Sequence, residues 1–387
     1  MGDVRIGVRY ALNLSRDPDL AEAPGTLTRD LPPEGSVTAQ RTATTTPKCD
    51  HTGLSVVPAP LDPAGRVQEA GLSTPQPAHR QVLNGPVDDS PVVRGIQVAL
   101  MEADALEDLS NQFAAFKRDY PYRDIFCDGR RWRYRIGGAP DGPPVLVLTG
   151  ATTVPDPLFV IIADLGQQYR VIAPAYPPAS RITDLIDGIA ALLDAEHVTT
   201  VHMVGSSFGG YLAQSLLRAY PERVDKLVLA QTGVRHFAGS GAMTMLRRLL
   251  GVAPTRVVKA FTWRTWQLLL TDLGEDGPFW TALLRDILDR QLTKTQLLAV
   301  MAAIADFTAH HRPLPGSTVA SGPVLVLASE HDRAFARQAS EMRAVYPHAT
   351  FRTLVGAGHG ALFTHTDEYI AEVRVFLKAP ESTELRP

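Results

Sequence analysis

Short apolar runs alternate with amphipathic segments along the chain from Asp124 onward. Runs that are this short and apolar on both faces predict the buried strands of a parallel sheet. Five of them are PPVLVLTG (143–150), YRVIAPAYP (169–177), TVHMVGSS (200–207), DKLVLAQTG (225–233) and PVLVLASEHD (323–332). Between the second and the third, RITDLIDGIAALLDAEHV has the spacing of a helix. Strands that alternate with helices predict a sheet covered by helices on both faces.

The two ends of this pattern extend the predicted sheet. FCDG followed by RRWRYRIG predicts an antiparallel hairpin at the sheet edge. ATFRTLVGAGHG (349–360) predicts a last strand, and DEYIAEVRVFLKA predicts a final amphipathic helix. The expected fold class is therefore α/β, with a mostly parallel central sheet and helices on both of its faces.

Residues 236–315 interrupt the pattern, because they carry no strand signal. Their apolar positions recur at helical intervals in four pieces, and a helical insertion between two strands predicts a lid. The pieces are AMTMLRRLLG, TRVVKAFTWRTWQLLL, PFWTALLRDILDRQL and KTQLLAVMAAIADFTAHH. We expect the aromatic side chains of this insertion to bind an apolar part of a substrate, or alternatively to pack the insertion onto the body. They are Phe261, Trp263, Trp266, Phe279 and Trp280.

The N-terminal part of the chain differs in composition from the rest. Residues 1–112 contain a single aromatic residue, Tyr10, and 12 of the 30 prolines. Such a segment buries too little apolar surface to offset the entropy of ordering it. We therefore expect a disordered leader over 1–100, which serves as a linker or tail, or as a docking segment. A third interpretation is that the true start of the protein is Met101. The core then covers 101–235 and 316–387, on either side of a lid at 236–315.

Charge and cysteine content exclude several classes of function. Charged residues make up 20% of the chain and the net charge is −3, so there is no basic field that would predict a nucleic acid or membrane partner. Only Cys49 and Cys127 are present, which favours a reducing compartment over a disulfide framework. No run approaches the roughly 20 apolar residues of a membrane span. We expect a cytoplasmic protein, while its oligomeric state is left open.

Candidate chemistry centres on Gly205-Ser206-Ser207-Phe208-Gly209, a G-x-S-x-G pattern between an apolar strand and a helical segment. This spacing is typical of a nucleophile held at a sharp strand-to-helix turn, where small residues on both sides prevent collisions. Ser207 is the predicted nucleophile, because only it lies midway between the two glycines. Ser206 is the competing hydroxyl.

A serine nucleophile needs a base, and the base needs a carboxylate to orient it. His359, in the sequence GAGHG after a predicted strand, is the predicted base, with His365 as its local rival. Asp332 follows the run VLVLASEH at the carboxyl end of a strand and is the predicted acid. Glu330 is the alternative acid.

Two backbone N–H groups are candidates for stabilising the negative charge of an oxyanion. One belongs to Phe208, at the start of the helix after the nucleophile. The other belongs to Ala151 in the loop TGAT (149–152), which follows the first central strand. That glycine-containing loop is alternatively a plain turn.

These stretches resemble a known superfamily. VHMVGSSFGGYLAQSLLRAYPERVDKLVLAQTG, PVLVLASEHD and GAGHG are similar to the α/β-hydrolases, which include lid-bearing esterases, C–C bond hydrolases and non-haem haloperoxidases. The likeness spans about 125–378. TGATTVPDPLF and YRVIAPAYP are also similar to maspardin-type proteins, a subgroup in which some members resemble adaptors that lack a complete triad. The resemblance implies the α/β-hydrolase fold and a Ser-Asp-His triad.

The expected function is hydrolysis of an ester, or a related acyl bond, of a partly apolar small molecule through an acyl-enzyme intermediate. The alternatives are a noncatalytic, maspardin-like adaptor and a lyase or C–C bond hydrolase that uses the same triad. Neither His310-His311 nor Cys49-Asp50-His51 has a second cluster at zinc-like spacing, so no metal site is predicted. GAGHG lacks the context of a dinucleotide site, and no cofactor is expected.

Overall fold

The computed structural model describes residues 49–50, 108–127, 129–236, 238–271, 273–313 and 322–379. The predicted disordered leader, apart from Cys49 and Asp50, and the proposed start at Met101 lie outside these residues.

A nine-stranded sheet runs through the molecule, in the order β1-β2-β3-β5-β4-β6-β7-β8-β9. Pairing is antiparallel from β1 to β5 and parallel from β5 to β9. The strands are β1 (Cys49–Asp50), β2 (Tyr122–Cys127), β3 (Arg130–Gly138), β4 (Pro144–Leu148), β5 (Arg170–Ala175), β6 (Val201–Ser206), β7 (Val224–Ala230), β8 (Val324–Ser329) and β9 (Thr350–Leu354). The predicted hairpin, the five predicted buried strands and the predicted last strand are all present.

Helices cover both faces of this sheet. The described part of the first helix, α1, spans 108–119. The others are α2 (Phe159–Leu165), α3 (Ile182–Ala195), α4 (Phe208–Ala219), α5 (Gly239–Val252), α6 (Thr255–Leu269), α7 (Gly277–Asp286), α8 (Lys294–Asp306), α9 (Ala339–Val345), α10 (Ala361–Thr364) and α11 (Thr366–Lys378). Within the described ranges, no helix is both long enough and apolar enough to cross a bilayer.

Alternation along the strands divides the core into two layers. In β4, Val145 and Val147 pack on the side of α2 and α11, while Leu146 and Leu148 pack on the side of α3 and α4. Successive side chains of a strand point to opposite faces, so a strand of this kind must be apolar throughout. The continuous apolar runs of the sequence follow from this double burial.

Parallel register brings the loops that carry the predicted chemistry to one edge of the sheet. Leu148 is paired with Gly205, and Ser206 with Ala230. Ala230 is in turn paired with Leu327. The chain therefore leaves β4, β6, β7 and β8 at the same edge, which is where open α/β sheets hold their sites.

The segment between β7 and β8 contains α5 to α8, as its helical periodicity predicts. α7 and α8 each continue into a short π-helical turn, at Ile287–Gln291 and Phe307–His311. The ring of Phe279 lies 5.8 Å from that of Phe159 on α2, and the ring of Trp280 lies 4.5 Å from that of Phe363 on α10. This helical insertion is thus packed firmly against the body.

At the other edge of the sheet, β1 extends the predicted hairpin by a two-residue pairing. Cys49 is opposite Cys127, and Asp50 is opposite Phe126. The two cysteines of the chain, far apart in sequence, are therefore neighbours along the backbone ladder.

Candidate active site

Ser207 lies at the turn between β6 and α4, with φ 53° and ψ −117°. A positive φ is rare for a residue with a side chain and is found where the surrounding structure enforces it. Two backbone bonds hold the turn: the N–H of Ser207 donates to the carbonyl of Ala230 at 3.0 Å, and its carbonyl accepts from the N–H of Gly210 at 3.0 Å. The side chain remains partly exposed.

The two glycines of the G-x-S-x-G pattern allow this turn because α4 lies against β4 and β6 at very short range. A Cβ atom at Gly209 would stand 2.2 Å from the carbonyl oxygen of Leu148. One at Gly205 would stand 2.7 Å from the carbonyl oxygen of Gly209. Any larger residue at either position would push the helix away from the sheet and move Ser207 with it.

Three side chains from separate loops form a continuous chain of hydrogen bonds. His359 Nε2 lies 3.1 Å from Ser207 Oγ, and His359 Nδ1 lies 3.0 Å from Asp332 Oδ2. Because the carboxylate can only accept, Nδ1 carries the proton and the lone pair of Nε2 faces the serine hydroxyl. In this arrangement the imidazole can withdraw the serine proton, and the carboxylate can stabilise the imidazolium that forms.

The local fold after β8 decides which carboxylate reaches His359. Asp332 is 2% exposed, and its Oδ1 accepts from the N–H groups of Ala334 at 2.8 Å and Phe335 at 3.2 Å. The other acid, Glu330, points elsewhere and accepts from the N–H of Gly356 at 2.9 Å. Asp332 therefore faces the histidine, and Glu330 does not.

The competing hydroxyl and the competing histidine both have other partners. The side chain of Ser206 is hydrogen-bonded to the phenol of Tyr369, which is buried on α11. Burial raises the pKa of Tyr369, so this phenol stays neutral. Its hydrogen bond holds the side chain of Ser206, the residue that precedes Ser207. His365 Nδ1 lies 2.8 Å from the hydroxyl of Thr364. Neither Ser206 nor His365 takes part in the chain of bonds that contains Ser207.

The loop after β4 passes directly over the serine. A Cβ atom at Gly150 would stand 3.4 Å from Ser207 Cβ and 3.9 Å from Ser207 Oγ, so the Gly150–Ala151 peptide lies beside the hydroxyl. Phe208 is the first residue of α4, and the N–H groups of a first helical turn have no partner within the helix. Ala151, in this loop, and Phe208, at the helix terminus, therefore both lie next to Ser207.

A buried ion pair anchors this loop to the sheet. Arg135 of β3 donates to Asp156, just beyond the loop, at 2.7 Å, and each side chain is 5% exposed. The phenol of Tyr122 donates to the second oxygen of Asp156 at 2.5 Å, and the guanidinium stacks 3.9 Å from the ring of Tyr122. Burial, together with the charge of Asp156, raises the pKa of that phenol. Each oxygen of the carboxylate has a partner, so the loop is fixed at its far end.

Sequence reasoning missed this anchor and three hydrogen bonds made by two residues just after β7. The hydroxyl of Thr232 donates to the carbonyl of Ser207 at 2.9 Å. Gln231, with φ 42°, donates to the carbonyl of Leu327 at 3.2 Å and to the hydroxyl of Ser329 at 3.1 Å. No spacing in the sequence signals these contacts, because each joins residues that are far apart along the chain.

The predicted substrate-binding aromatic residues occupy different environments. Trp266, Phe279 and Trp280 are buried, and Trp280 is 1% exposed with its indole N–H lacking a protein partner. Phe261 and Trp263 are only partly buried. The guanidinium of Arg285 lies 4.9 Å from the Trp263 ring centroid. The partly buried pair is therefore the part of this set that solvent reaches.

A cavity of about 340 Å³ lies away from the three hydrogen-bonded side chains of the site. Its walls include Val234, Arg235, Arg312 and Glu341, and none of the three hydrogen-bonded side chains lines it. We assign the chemistry to the serine turn instead, because the reacting groups meet there. Among the described residues, no group of three or more His, Cys, Asp or Glu side chains is arranged to hold a metal ion.

Comparison with known proteins gives partial matches among curated sequences. The chain is 30% identical over 144 residues to a proline iminopeptidase of Pestalotiopsis fici, covering 34% of this chain and 51% of that protein. It is 32% identical over 128 residues to maspardin of Rattus norvegicus, covering 31% and 49%. A poly(3-hydroxyalkanoate) depolymerase of Ectopseudomonas oleovorans is 32% identical over 123 residues, covering 29% and 44%. The chain thus spans about half the length of the curated relatives it matches.

Solved structures and a family model match over a longer range. An enol-lactonase of Burkholderia xenovorans superposes with a TM-score of 0.57 at 20% identity, covering 67% of this chain and 100% of that one. An esterase of a Rhodococcus species superposes with a TM-score of 0.54 at 21% identity, covering 67% and 98%. These likenesses concern the fold. The model of the alpha/beta hydrolase family matches residues 138–373, more than half of the chain, and the protein therefore belongs to the α/β-hydrolase family.

Proposed function

We propose that the protein is a serine hydrolase that cleaves an ester, or a related acyl bond, of a partly apolar small molecule. The observation that carries this proposal is the hydrogen-bonded chain from Ser207 through His359 to Asp332, at distances of 3.1 and 3.0 Å. A serine hydroxyl becomes nucleophilic when a neutral imidazole accepts its proton during attack. Here that imidazole is already oriented by a buried carboxylate.

The first half of the proposed reaction forms an acyl-enzyme. Ser207 Oγ attacks the carbonyl carbon while His359 Nε2 takes its proton, and Asp332 stabilises the imidazolium. Negative charge collects on the former carbonyl oxygen, beside the N–H groups of Ala151 and Phe208. When this tetrahedral intermediate collapses, the bond to the leaving group breaks and the imidazolium protonates that group.

The second half releases the acid. A water molecule gives its proton to His359 and attacks the acyl carbon, and a second tetrahedral intermediate uses the same two N–H groups. Collapse of that intermediate breaks the bond to Ser207 Oγ, which recovers its proton from the imidazolium. Over one cycle, water adds across the acyl bond and no other reactant is consumed.

The apolar character of the substrate is inferred from the helical insertion between β7 and β8, which we propose acts as a lid. Phe261 and Trp263 lie on α6 and are partly exposed. Sites that accept apolar groups are lined mainly by such side chains. The relatives with hydrolase names support the reaction class, since they include a proline iminopeptidase and a polyester depolymerase.

A fluorophosphonate probe tests the proposal, because it reacts covalently only with an activated serine. The wild-type protein is expected to be labelled once, on the peptide that contains Ser207, and to hydrolyse p-nitrophenyl esters of graded chain length. Ser207→Ala should abolish labelling and lower kcat on the order of a millionfold. Ser180→Ala, a matched change at an exposed serine, should leave both unchanged.

The alternatives give different results in the same experiment. A noncatalytic adaptor with this fold would remain unlabelled although folded, and that result would refute the proposal. A lyase or C–C bond hydrolase would be labelled at Ser207 yet turn over every ester of the series slowly.

A further inference from the structure

Helix α5 exposes an apolar face to solvent. Met245, Leu249 and Val252 are 58%, 57% and 89% exposed, and their spacing places them on one side of the helix. The opposite side is also apolar, and there Met243 and Leu250 are buried against the rest of the molecule. Packing among the described residues therefore accounts for only one of the two apolar sides of α5.

The exposed face continues into the following helix. Only two residues separate the end of α5 at Val252 from the start of α6 at Thr255. Val257, in the first turn of α6, is 44% exposed. We call the surface formed by Met245, Leu249, Val252 and Val257 the α5–α6 corner.

The charged residues of the two helices that form this corner have a single sign. From Gly239 to Leu269 the sequence contains five cationic residues and no aspartate or glutamate. They are Arg247, Arg248, Arg256, Lys259 and Arg264. The chain as a whole carries a net charge of −3, so an average over its length conceals this positive region.

Nearby carboxylates do not neutralise these side chains. Asp289 and Asp286, at the end of α7 and in the turn that follows it, form ion pairs with Arg285 and Arg290 at 2.9 and 3.1 Å. Arg248, Arg256 and Arg264 are all exposed. Their positive charge is thus available to an anionic partner.

Other exposed apolar side chains lack this combination. Val375 on α11 is 69% exposed, but its neighbour Arg374 is paired with Asp164. Val355, 72% exposed, follows β9 as a single residue. Isolated exposures of this kind are normal for proteins, whereas a contiguous apolar face marks an interaction site.

We propose that the α5–α6 corner docks on a lipid surface that carries anionic headgroups. Apolar side chains flanked by arginine and lysine fit the boundary between acyl chains and phosphates, where the former are buried and the latter attract the cations. A helix of this kind lies in the plane of the surface, so no span is needed. This inference departs from the expectation of no membrane partner and does not depend on the chemistry of Ser207.

Sedimentation of the full chain with lipid vesicles tests the proposal. Binding to phosphatidylcholine vesicles that contain phosphatidylserine should exceed binding to pure phosphatidylcholine vesicles by about tenfold or more, and should weaken as salt is added. Arg248→Gln and Arg256→Gln should reduce this preference. Ser207→Ala should bind like wild type, so a failure here is separable from a failure of the proposed hydrolysis.

Two apolar-to-acidic changes provide a matched comparison. Leu249→Asp and Val252→Asp lie on exposed positions and should lower binding by about tenfold. Val375→Asp makes the same kind of change on α11 and should bind like wild type. Circular dichroism and melting temperature of each variant verify that the fold is retained.

Three outcomes would overturn the proposal. They are absence of binding by folded wild-type protein, equal binding to both kinds of vesicle, and equal loss in the α5 variants and in Val375→Asp. Light scattering tests whether a second copy of this chain occupies the α5–α6 corner instead of a lipid surface. A wild-type dimer that Leu249→Asp converts to monomer would assign the corner to a second copy of this chain.

Discussion

At the scale of single residues, hydrogen bonds from different backbone N–H groups distinguish the two acidic side chains that follow β8. Asp332 is held by two N–H groups and reaches His359, while Glu330 binds the N–H of Gly356. The two carboxylates are chemically alike and only two residues apart. Their different partners give them separable roles that mutation can measure.

Asp332→Asn is expected to lower kcat on the order of ten-thousandfold with little change in KM, because the amide leaves His359 in the wrong tautomer. Glu330→Gln should keep kcat within about threefold of wild type, since its amide oxygen can still accept from Gly356. Steady-state kinetics on one p-nitrophenyl ester compares the two. A large loss in the glutamine variant with a small loss in the asparagine variant would reverse the assignment.

At the scale of elements, the junction between β7 and the helical insertion contains a half-buried histidine, His236. The N–H of His236 donates to the hydroxyl of Thr308 at 3.0 Å, and its Nδ1 accepts from the N–H of Ala238 at 3.2 Å. Burial lowers the pKa of His236 from 6.5 to about 4. A proton on Nδ1 would point at the N–H of Ala238, and two donors repel each other. The junction therefore favours the neutral ring of His236.

This junction predicts a loss of stability in mild acid. Between pH 6.5 and about 4 the unfolded chain binds a proton at His236 that the folded chain does not. The contribution of His236 to the free energy of unfolding is therefore complete above pH 6.5 and decreases as the pH drops towards 4. At pH 5 the decrease is about 2 kcal/mol. Urea unfolding at pH 7.5 and pH 5 measures the loss.

His236→Asn provides the control, because its side-chain oxygen can accept from Ala238 but does not titrate. Its free energy of unfolding should fall by about 2 kcal/mol less than that of wild type between the two pH values. Every other titrating group is common to both proteins. Equal losses would exclude His236 as the source.

At the scale of the whole molecule, Ser207, His359 and Asp332 all come from loops that follow the predicted leader in the chain. The only described part of that region is β1, whose two residues pair with the end of β2. The rest of the predicted leader is poor in the aromatic residues that supply most buried area. We therefore predict that it adds little to stability.

A protein that begins at Met101 should unfold within about 3 °C of the full chain, which for a domain of this size corresponds to less than about 2 kcal/mol. Differential scanning calorimetry of both proteins measures the difference. A larger decrease, or insolubility of the shorter protein, would mean that residues 1–100 pack on the body.

Sequence alone determined the elements and their class. Periodicity is a local property, so the apolar runs predicted five buried strands, and helical spacing predicted the four helices between β7 and β8. The G-x-S-x-G pattern pointed to Ser207 for the same reason, since the glycines that permit its turn are within two residues of it. His359 and Asp332 followed from the ends of strands.

Tertiary structure decided what depends on residues distant in the chain. Ser207 and His359 are 152 residues apart, and Arg135 and Asp156 join through the packing of a strand against a loop. Which side of α5 is buried was also undetermined, because both sides are apolar and only the surrounding helices select one. The local sequence pattern determines which faces of a helix or strand are apolar enough to be buried. The packing of helices against the sheet determines which of those faces is buried in the folded protein.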